Sequence, residues 1–189
     1  AAAMDSPNGW VRDKVKQMLL WSQDKSAAPE LEKQVTAASN PRVRLQALCT
    51  LDSLAALAPA LLEQALSDKH PGVRRHAVRL CETRVQNSPQ LQTAFLKTTD
   101  DPDSFVRLQL ACSLGEWNDP QAGAALGRLL LANHKDRAIV TAGMSSALPH
   151  CEALAESISA AAGEAAEALA QPLLGVALAL NRREALARL

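Results

Sequence analysis

The stretch His70-Pro-Gly-Val-Arg-Arg-His-Ala-Val-Arg-Leu-Cys81 decides the fold, because its opening pattern recurs along the chain. The pattern consists of turn-forming residues, then Val-Arg, then an apolar helix. The arginines of its four copies are 32, 30 and 33 residues apart. A period of about 20 to 50 residues is typical of solenoids built from stacked helical repeats. The copies are Asn8-Gly-Trp-Val-Arg12, Asn40-Pro-Arg-Val-Arg44, His70-Pro-Gly-Val-Arg74 and Asp103-Ser-Phe-Val-Arg107.

Each repeat is predicted to contain two helices, because another apolar stretch with its own turn residues precedes every Val-Arg segment. In the third repeat, Pro59 to Ser67 should form the first helix, 68–72 the turn, and Val73 to about Val85 the second helix. Proline is favoured in the first turn of a helix, where its missing N–H costs nothing. The predicted starts are Pro29, Pro59, Pro89 and Pro120 for first helices, and Pro41, Pro71 and Pro102 for second helices.

The second helices have the periodicity of a helix with one buried face. Apolar residues recur one residue before the arginine and three, four and seven residues after it. A fifth, degenerate copy, Asp136-Arg-Ala-Ile-Val140, lacks the arginine, and Glu152 to Leu180 is helical in pattern but outside the repeat register. One helix pair cannot bury its apolar face alone, so the pairs must stack. The predicted fold is all-α, an α-α superhelix or solenoid of about five to six helix pairs.

The two ends of the chain bear on its domain organisation. Residues 1–4, Ala-Ala-Ala-Met, resemble a cloning remnant, and 5–189 are predicted to form a single solenoid domain. Residues 5–21 begin at the turn between two helices, and Asn181 to Leu189 resembles a first helix without its second. We therefore expect the chain to be a fragment of a longer multidomain protein.

Composition argues against several classes of function. Lys plus Arg and Asp plus Glu both number 20, and this zero net charge disfavours a general nucleic-acid-binding protein. No apolar run approaches the roughly 18 residues of a membrane span, so no membrane insertion is expected. The cysteines lack CxxC spacing, which disfavours zinc and c-type haem sites. All four are predicted to be free thiols, most of them buried inside helices: Cys49, Cys81, Cys112 and Cys151.

No residue pattern predicts a catalytic, cofactor or metal site. The histidines at 70, 76, 134 and 150 never fall at metal-ligand spacing. The chain also lacks a Gly-rich phosphate loop and a G-x-S-x-G elbow. The cluster Asp100-Asp101-Pro-Asp103 resembles a cation site, but it lies where the repeat needs a turn and a helix N-cap. We therefore predict a non-catalytic protein without cofactor or metal.

The predicted partner-binding surface lies on the second helices, opposite their apolar arc. Positions one, two, five and nine after the arginine point away from the core, and in a curved solenoid they would line the concave surface. A solvated charged face without a ligand is the alternative interpretation. The candidate partner-binding residues are Arg75, His76, Arg79, Gln46, Gln109 and Glu116.

The repeated arginines themselves lie near the apolar arc. This position favours a structural ladder that ties one turn to the next over a basic stripe that binds a partner. Trp10, Trp21 and Trp117 are predicted to pack in the core or against neighbouring helices rather than to stack on a ligand. The predicted ladder consists of Arg44, Arg74, Arg107, Asp68 and Asp101.

The Val-Arg segments resemble HEAT repeats, in which an Asp in the turn between the helices precedes a Val-Arg pair. Asp68 and Asp101 match that pattern, because each lies six residues before its arginine. The second repeat departs from it, with Ala38 at the Asp position. The resemblance implies a HEAT-like solenoid in which a continuous Asp–Arg ladder is not expected.

Five stretches have a closer likeness. They are Ser6-Pro-Asn-Gly-Trp-Val-Arg-Asp13, Gln23-Asp-Lys-Ser26, Leu48-Cys-Thr-Leu-Asp52, His70-Pro-Gly-Val-Arg-Arg-His-Ala77 and Phe105-Val-Arg-Leu-Gln-Leu-Ala-Cys-Ser-Leu-Gly115. They resemble the HEAT-repeat segment of large planctomycete and verrucomicrobial proteins, the PVC-type c-type cytochromes and membrane-bound dehydrogenases. There a sugar-dehydrogenase-like propeller precedes the repeats and a haem domain follows them. The resemblance implies a connector without catalytic or haem-binding residues, in a periplasmic or otherwise extracytoplasmic protein.

Together these observations predict a protein-interaction or spacer module. Its partner would be a protein, either a flanking domain of the parent chain or another molecule, and we expect a monomer. The alternative is a lyase or chromophore-binding protein, because HEAT-like repeats also occur in bilin lyases, and a tight pocket around Cys49 or Cys112 would support it. Nucleic-acid binding is the weakest hypothesis, because the net charge is zero.

Overall fold

A computed structural model describes residues 2–189, which form two compact units, residues 2–80 and Cys81–Leu189. Over these residues the chain contains twelve α-helices and no β-strand, so the predicted all-α fold class is confirmed. The first unit consists of the 3-10 helix Ala2–Asp5, α1 (Gly9–Ser22), the 3-10 helix Lys25–Ala27, α2 (Ala28–Ala37), α3 (Pro41–Ser53), α4 (Pro59–Leu66) and α5 (Pro71–Cys81), whose final cysteine belongs to the second unit. Helices α1, α3 and α5 are the Val-Arg helices, and α2 and α4 lie between them in the chain.

The second unit continues the alternation and then departs from it. Helix α7 contains the fourth Val-Arg pair, α9 is the second helix of the degenerate copy, and α10 to α12 follow outside the repeat register. Its elements are the 3-10 helix Val85–Asn87, α6 (Pro89–Lys97), the 3-10 helix Thr98–Asp100, α7 (Ser104–Ser113), the 3-10 helix Leu114–Glu116, α8 (Pro120–Ala132), α9 (Arg137–Ser145), α10 (Cys151–Ala160), α11 (Glu164–Ala179) and α12 (Arg183–Arg188).

Local signals fix where the helices start. Asn40 precedes α3, and its side chain accepts a hydrogen bond from the N–H of Arg42 at 3.0 Å. Such caps satisfy N–H groups that have no partner within the helix. Proline occupies the first or second position of six helices, as predicted: α2, α3, α4, α5, α6 and α8.

The prediction for Pro102 was wrong, because the helix starts two residues later. Asp103 is the N-cap of α7, and its side chain accepts hydrogen bonds from Phe105 and Val106 at 2.9 and 3.2 Å. A capping residue has extended backbone, so the proline before it lies outside the helix. The acidic cluster at 100–103 therefore contains a helix cap, as its position in the repeat indicated.

The predicted apolar arc of the second helices is the core. In α3 it consists of Val43, Ala47, Leu48 and Leu51, all with no exposed surface. The equivalent residues of the fourth repeat are equally buried. Burial of one leucine side chain stabilises the fold by roughly 1.5–3 kcal/mol. With so few aromatic residues, the interior is built mainly from Leu, Val and Ala.

Small residues allow α8 and α10 to approach closely. A Cβ atom at Gly127 would lie 2.5 Å from Oγ of Ser157, and one at Gly123 would lie 2.9 Å from Cβ of Ala153. Neither distance is compatible with ordinary van der Waals contact. The two glycines face α10 one helical turn apart, so larger residues would push the helices away from each other.

The tryptophan prediction holds for one residue of three. Trp117 is 2% exposed and makes an edge-to-face contact with Phe95, with ring centroids 6.3 Å apart. Trp10 and Trp21 are instead 67% and 77% exposed, so the prediction that they pack in the core or against neighbouring helices was wrong. They lie two residues before and nine residues after Arg12, on the side of α1 that faces away from the buried arc.

Among residues 2–189, every helix is too short or too polar to span a lipid bilayer.

Candidate interaction surface

Each Val-Arg arginine holds its own turn through a backbone carbonyl. Its Nη1 donates a hydrogen bond to the carbonyl oxygen six residues earlier, so the guanidinium closes the segment that joins the two helices of a repeat. Because the acceptor is a backbone atom, any residue can supply it. The distances are 2.6 Å for Arg12 to Ser6, 2.9 Å for Arg44 to Ala38, 2.8 Å for Arg74 to Asp68 and 2.6 Å for Arg107 to Asp101.

Arg44 also makes a bidentate ion pair with Asp68, in the turn of the next repeat. Its Nε and Nη2 donate to the two carboxylate oxygens at 2.7 Å each, and the side chains are only 5% and 11% exposed. Burial by itself raises the pKa of Asp68, but hydrogen bonds from Arg44 and the N–H of His70 bring it below its ordinary value. The pKa of Arg44 is raised, chiefly by the hydrogen bond to Asp68. The pair ties two successive turns together.

Two other arginines use neutral partners. Nε of Arg107 donates to Oδ1 of Asn133 at 3.0 Å, and Nε of Arg12 donates to Oε1 of Gln46 at 3.0 Å. Ala38 occupies the position that Asp68 has in the following repeat, so it offers Arg12 no carboxylate. The partner of the arginine thus changes from repeat to repeat while its bond to its own turn stays the same.

The candidate partner-binding residues fall into both units. In the first unit, Arg75 and Arg79 are exposed on α5, and His76 between them is partly buried. Burial lowers the pKa of His76, and the charges of Arg75 and Arg79 lower it further. Its Nδ1 is buried without a hydrogen-bond partner. Gln46 is already engaged, because its amide accepts from Arg12 and donates to Asp13 at 2.6 Å.

On α1, the exposed Trp10, Lys14 and Trp21 and the partly buried Gln17 form one row that we call the α1 stripe. Residues at this spacing lie on the same side of a helix. Nζ of Lys14 lies 5.8 Å from the Trp10 ring centroid and donates to Oε1 of Gln17 at 2.9 Å. The stripe borders an open groove of about 510 Å³, which is also lined by Asp13, Lys16 and Leu20.

Cys49 on α3 is influenced by charged side chains of both α1 and α5. Burial raises the pKa of its thiol, whereas the charges of Lys16 on α1 and Arg79 on α5 lower it and Asp52 raises it. One α3 thiol therefore lies within electrostatic range of both adjacent Val-Arg helices. We call the exposed side chains of α1, α3 and α5 the first-unit face.

The corresponding residues of the second unit are less basic. Nε2 of Gln109 donates to Ser113 at 3.1 Å, and Ser113 donates to Glu82 at 2.6 Å. Glu116 is exposed. Phe105 is 63% exposed at the α7 position that corresponds to Trp10.

The cysteines are free, but one is not buried. Cys81 and Cys151 lie in the core, Cys49 is partly buried, and Cys112 is exposed. The expectation of a buried thiol was wrong for Cys112, because five residues after the arginine is an outward position. Burial raises the pKa of Cys81 to about 12, so this thiol stays protonated at neutral pH.

The histidines have separate structural surroundings. Nδ1 of His70 accepts from the N–H of Gly72 at 3.0 Å and caps the start of α5. Nε2 of the buried His150 lies 3.0 Å from the Leu114 carbonyl oxygen. Within residues 2–189, no three His, Cys, Asp or Glu side chains lie close enough together to hold a metal ion.

The paired helices, the buried Val-Arg arc and the arginine contacts define an all-α helical-repeat protein. Residues 58–148 match the family model described as HEAT repeats, so the chain contains a HEAT-repeat segment. HEAT repeats typically serve as non-catalytic scaffolds for protein interaction. No curated protein matches the chain. The likeness to the planctomycete and verrucomicrobial proteins stays a prediction.

Proposed function

We propose that this chain is a non-catalytic protein-interaction module and that the first-unit face contacts its partner. One observation carries the proposal: Trp10 and Trp21 are 67% and 77% exposed on the same side of α1, beside Lys14. Exposed apolar surface of this kind, bordered by polar groups, marks interaction sites. Tryptophan and arginine also dominate the binding energy of many protein interfaces.

The cysteines support an interaction module over a protein that binds a chromophore covalently through its own thiols. Covalent attachment of a chromophore needs a reactive thiolate, and burial raises the pKa of both Cys49 and Cys112. Glu82 raises the pKa of Cys112 further. A thiol with a raised pKa is a poor nucleophile at neutral pH, because little of it is deprotonated.

The parent protein is a finer part of the proposal. We propose that the repeats connect other domains within a larger extracytoplasmic bacterial protein that contains dehydrogenase and haem domains. This part rests on the resemblance of the five sequence stretches alone. Co-purification of the repeats with those domains, expressed as separate chains, would test it, and the absence of an interaction would favour a purely mechanical spacer.

The interaction function can be tested by site-specific photo-crosslinking. A benzoylphenylalanine residue would replace Trp21, Phe105 or Leu178, which are all exposed, at 77%, 63% and 61%. In an extract of cells that encode the chain, we expect a discrete protein adduct from position 21, identified by mass spectrometry. The other two positions serve as matched controls.

The outcomes separate the parts of the proposal. Adducts only from position 105 or 178 would keep the interaction function but contradict its location on the first-unit face. Adducts from none of the positions, together with a shift of the visible absorption of added biliverdin or haemin, would favour the chromophore-binding alternative.

A further inference from the structure

The first-unit face combines exposed aromatic rings with cationic groups. We propose that it binds an extended acidic peptide segment that also contains a large apolar side chain. The proposal rests on the interaction function above and adds the chemistry of the partner. Residues 1–80 contain eleven Lys and Arg against eight Asp and Glu, so their net charge of +3 is complementary to such a segment.

The α1 stripe provides the apolar part of the site. Trp21 occupies the position nine residues after the arginine, where the later repeats have Ser53, Thr83 and Glu116. Trp10 corresponds to Arg42 and Gly72. The fold therefore does not require an aromatic residue at either position. Exposure of the two apolar rings to water is unfavourable unless a partner covers them. They lie about 16 Å apart along α1 at 1.5 Å per residue, with the groove beside them.

The α5 helix provides the cationic part. Arg75 and Arg79 are both exposed to solvent. Between them, Nδ1 of His76 is buried without a hydrogen-bond partner. A carboxylate beside this group would gain two guanidinium donors.

The anions on the face limit the kind of ligand that fits. Asp13 accepts a hydrogen bond from Gln46, and Asp52 is near enough to Cys49 to influence the pKa of that thiol. A nucleic-acid strand has a phosphate at every nucleotide and would meet these carboxylates between its cationic contacts. A peptide can instead place its acidic residues only opposite the cations, so the distribution of charge favours a peptide.

Helix packing sets the length of the segment. Packed helices lie about 8–10 Å apart, so α1 and α5, on either side of α3, are separated by roughly 20 Å. An extended peptide spans about 3.3–3.6 Å per residue, so about six residues reach from one helix to the other. The apolar side chain would contact Trp10 and Trp21, and the acidic residues would lie near Arg75 and Arg79.

The test uses a fluorescein-labelled ten-residue peptide with Leu-Phe near one end and three glutamates six residues away. Anisotropy titration of the full chain should give saturable binding that weakens several-fold between about 50 and 300 mM salt. Trp21→Ala should reduce the affinity at least tenfold, and so should the double change Arg75→Gln with Arg79→Gln. All three side chains are exposed, so the variants should fold.

Matched controls lie in the second unit. Phe105→Ala removes an exposed aromatic residue at the position equivalent to Trp10, and Arg128→Gln removes an exposed cation. Both variants should bind the peptide like the unaltered chain. Peptides with the glutamates changed to glutamine, or with Leu-Phe changed to two alanines, should also lose at least tenfold in affinity.

Three results would overturn the proposal. They are equal peptide affinity for the unaltered chain and the Trp21→Ala variant, no binding at millimolar peptide, and tighter binding of a ten-nucleotide oligothymidylate than of the peptide. If peptide binding fails while photo-crosslinking still gives a protein adduct, only the partner chemistry is wrong and the interaction function stands.

Discussion

Arg44 in the first unit has a charged partner in the next turn, and Arg107 in the second unit has a neutral one. Arg44 pairs with the carboxylate of Asp68, whereas Arg107 donates to the amide of Asn133. In both units the arginine also binds the carbonyl oxygen six residues before it. The comparison shows that the repeat depends on closing its own turn, and that the contact with the next turn tolerates different chemistry.

The two units also differ in net charge and in the exposure of their tryptophans. Residues 1–80 have a net charge of +3, and residues 81–189 have nine Lys and Arg against twelve Asp and Glu, a net charge of −3. The zero net charge of the whole chain thus conceals two regions of opposite sign. Exposed tryptophans occur only on the basic unit, at positions 10 and 21, while the tryptophan of the acidic unit is buried.

The largest expected contrast is between the buried and the exposed tryptophan. Trp117→Ala should lower the free energy of unfolding by about 3–5 kcal/mol, because it leaves a cavity beside Phe95. Trp21→Ala should change it by less than about 0.5 kcal/mol. Urea unfolding followed by circular dichroism measures both. A large loss for Trp21→Ala would mean that its ring packs within the fold.

The next contrast concerns the two arginine contacts. Asp68→Asn should cost about 3 kcal/mol, because it leaves the buried Arg44 guanidinium without a counter-charge. Asn133→Ala should cost about 1.5 kcal/mol, the usual value for a hydrogen bond to a charged group. Hydrogen exchange measured segment by segment shows in which unit each variant loses stability. Equal losses would contradict the difference between an ionic and a neutral contact.

The same Gly-to-Ala change at two positions tests the close approach of α8 and α10, with the position in α11 as the control. Gly175→Ala should stabilise α11 by about 0.5–1 kcal/mol, because nothing lies within 4 Å of the added Cβ and alanine favours helix. Gly127→Ala should destabilise the second unit by about 1 kcal/mol, because the added Cβ would meet Ser157. Thermal melting shows whether each variant has a higher or a lower melting temperature than the unaltered chain. Stabilisation by both changes would show that α10 moves away without cost.

The smallest expected effect is the pH dependence of the Arg44–Asp68 pair. The folded pKa of Asp68 is lowered, and an unfolded Asp titrates at about 3.9, so the unfolded state takes up the proton first. The contribution of the carboxylate is therefore complete above about pH 5 and is lost as the pH falls through the folded pKa. The stability difference between the unaltered chain and Asp68→Asn should shrink between pH 6 and pH 3 in urea titrations. A constant difference would exclude this linkage.

The sequence predicted the repeats because their signals are local. The turn residues and prolines placed most helix starts, and the spacing of apolar residues placed the buried arc of α3 and α7. The same periodicity could have identified Trp10 and Trp21 as exposed, because they lie opposite that arc. They were predicted to be packed because residues at helix ends often contact neighbouring helices in a solenoid, and the exposed stripe they form with Lys14 was therefore missed.

The sequence by itself determined the helical repeat, the capping of its helices and the side of each Val-Arg helix that is buried, since these depend on residues within about one turn of each other. Only the tertiary structure decided which group Arg12, Arg44 and Arg107 meet in the next repeat, since those partners are 24 to 34 residues away. It also decided that charged side chains of α1 and α5 influence the same α3 thiol, because packing, rather than chain order, brings Lys16 and Arg79 within electrostatic range of Cys49.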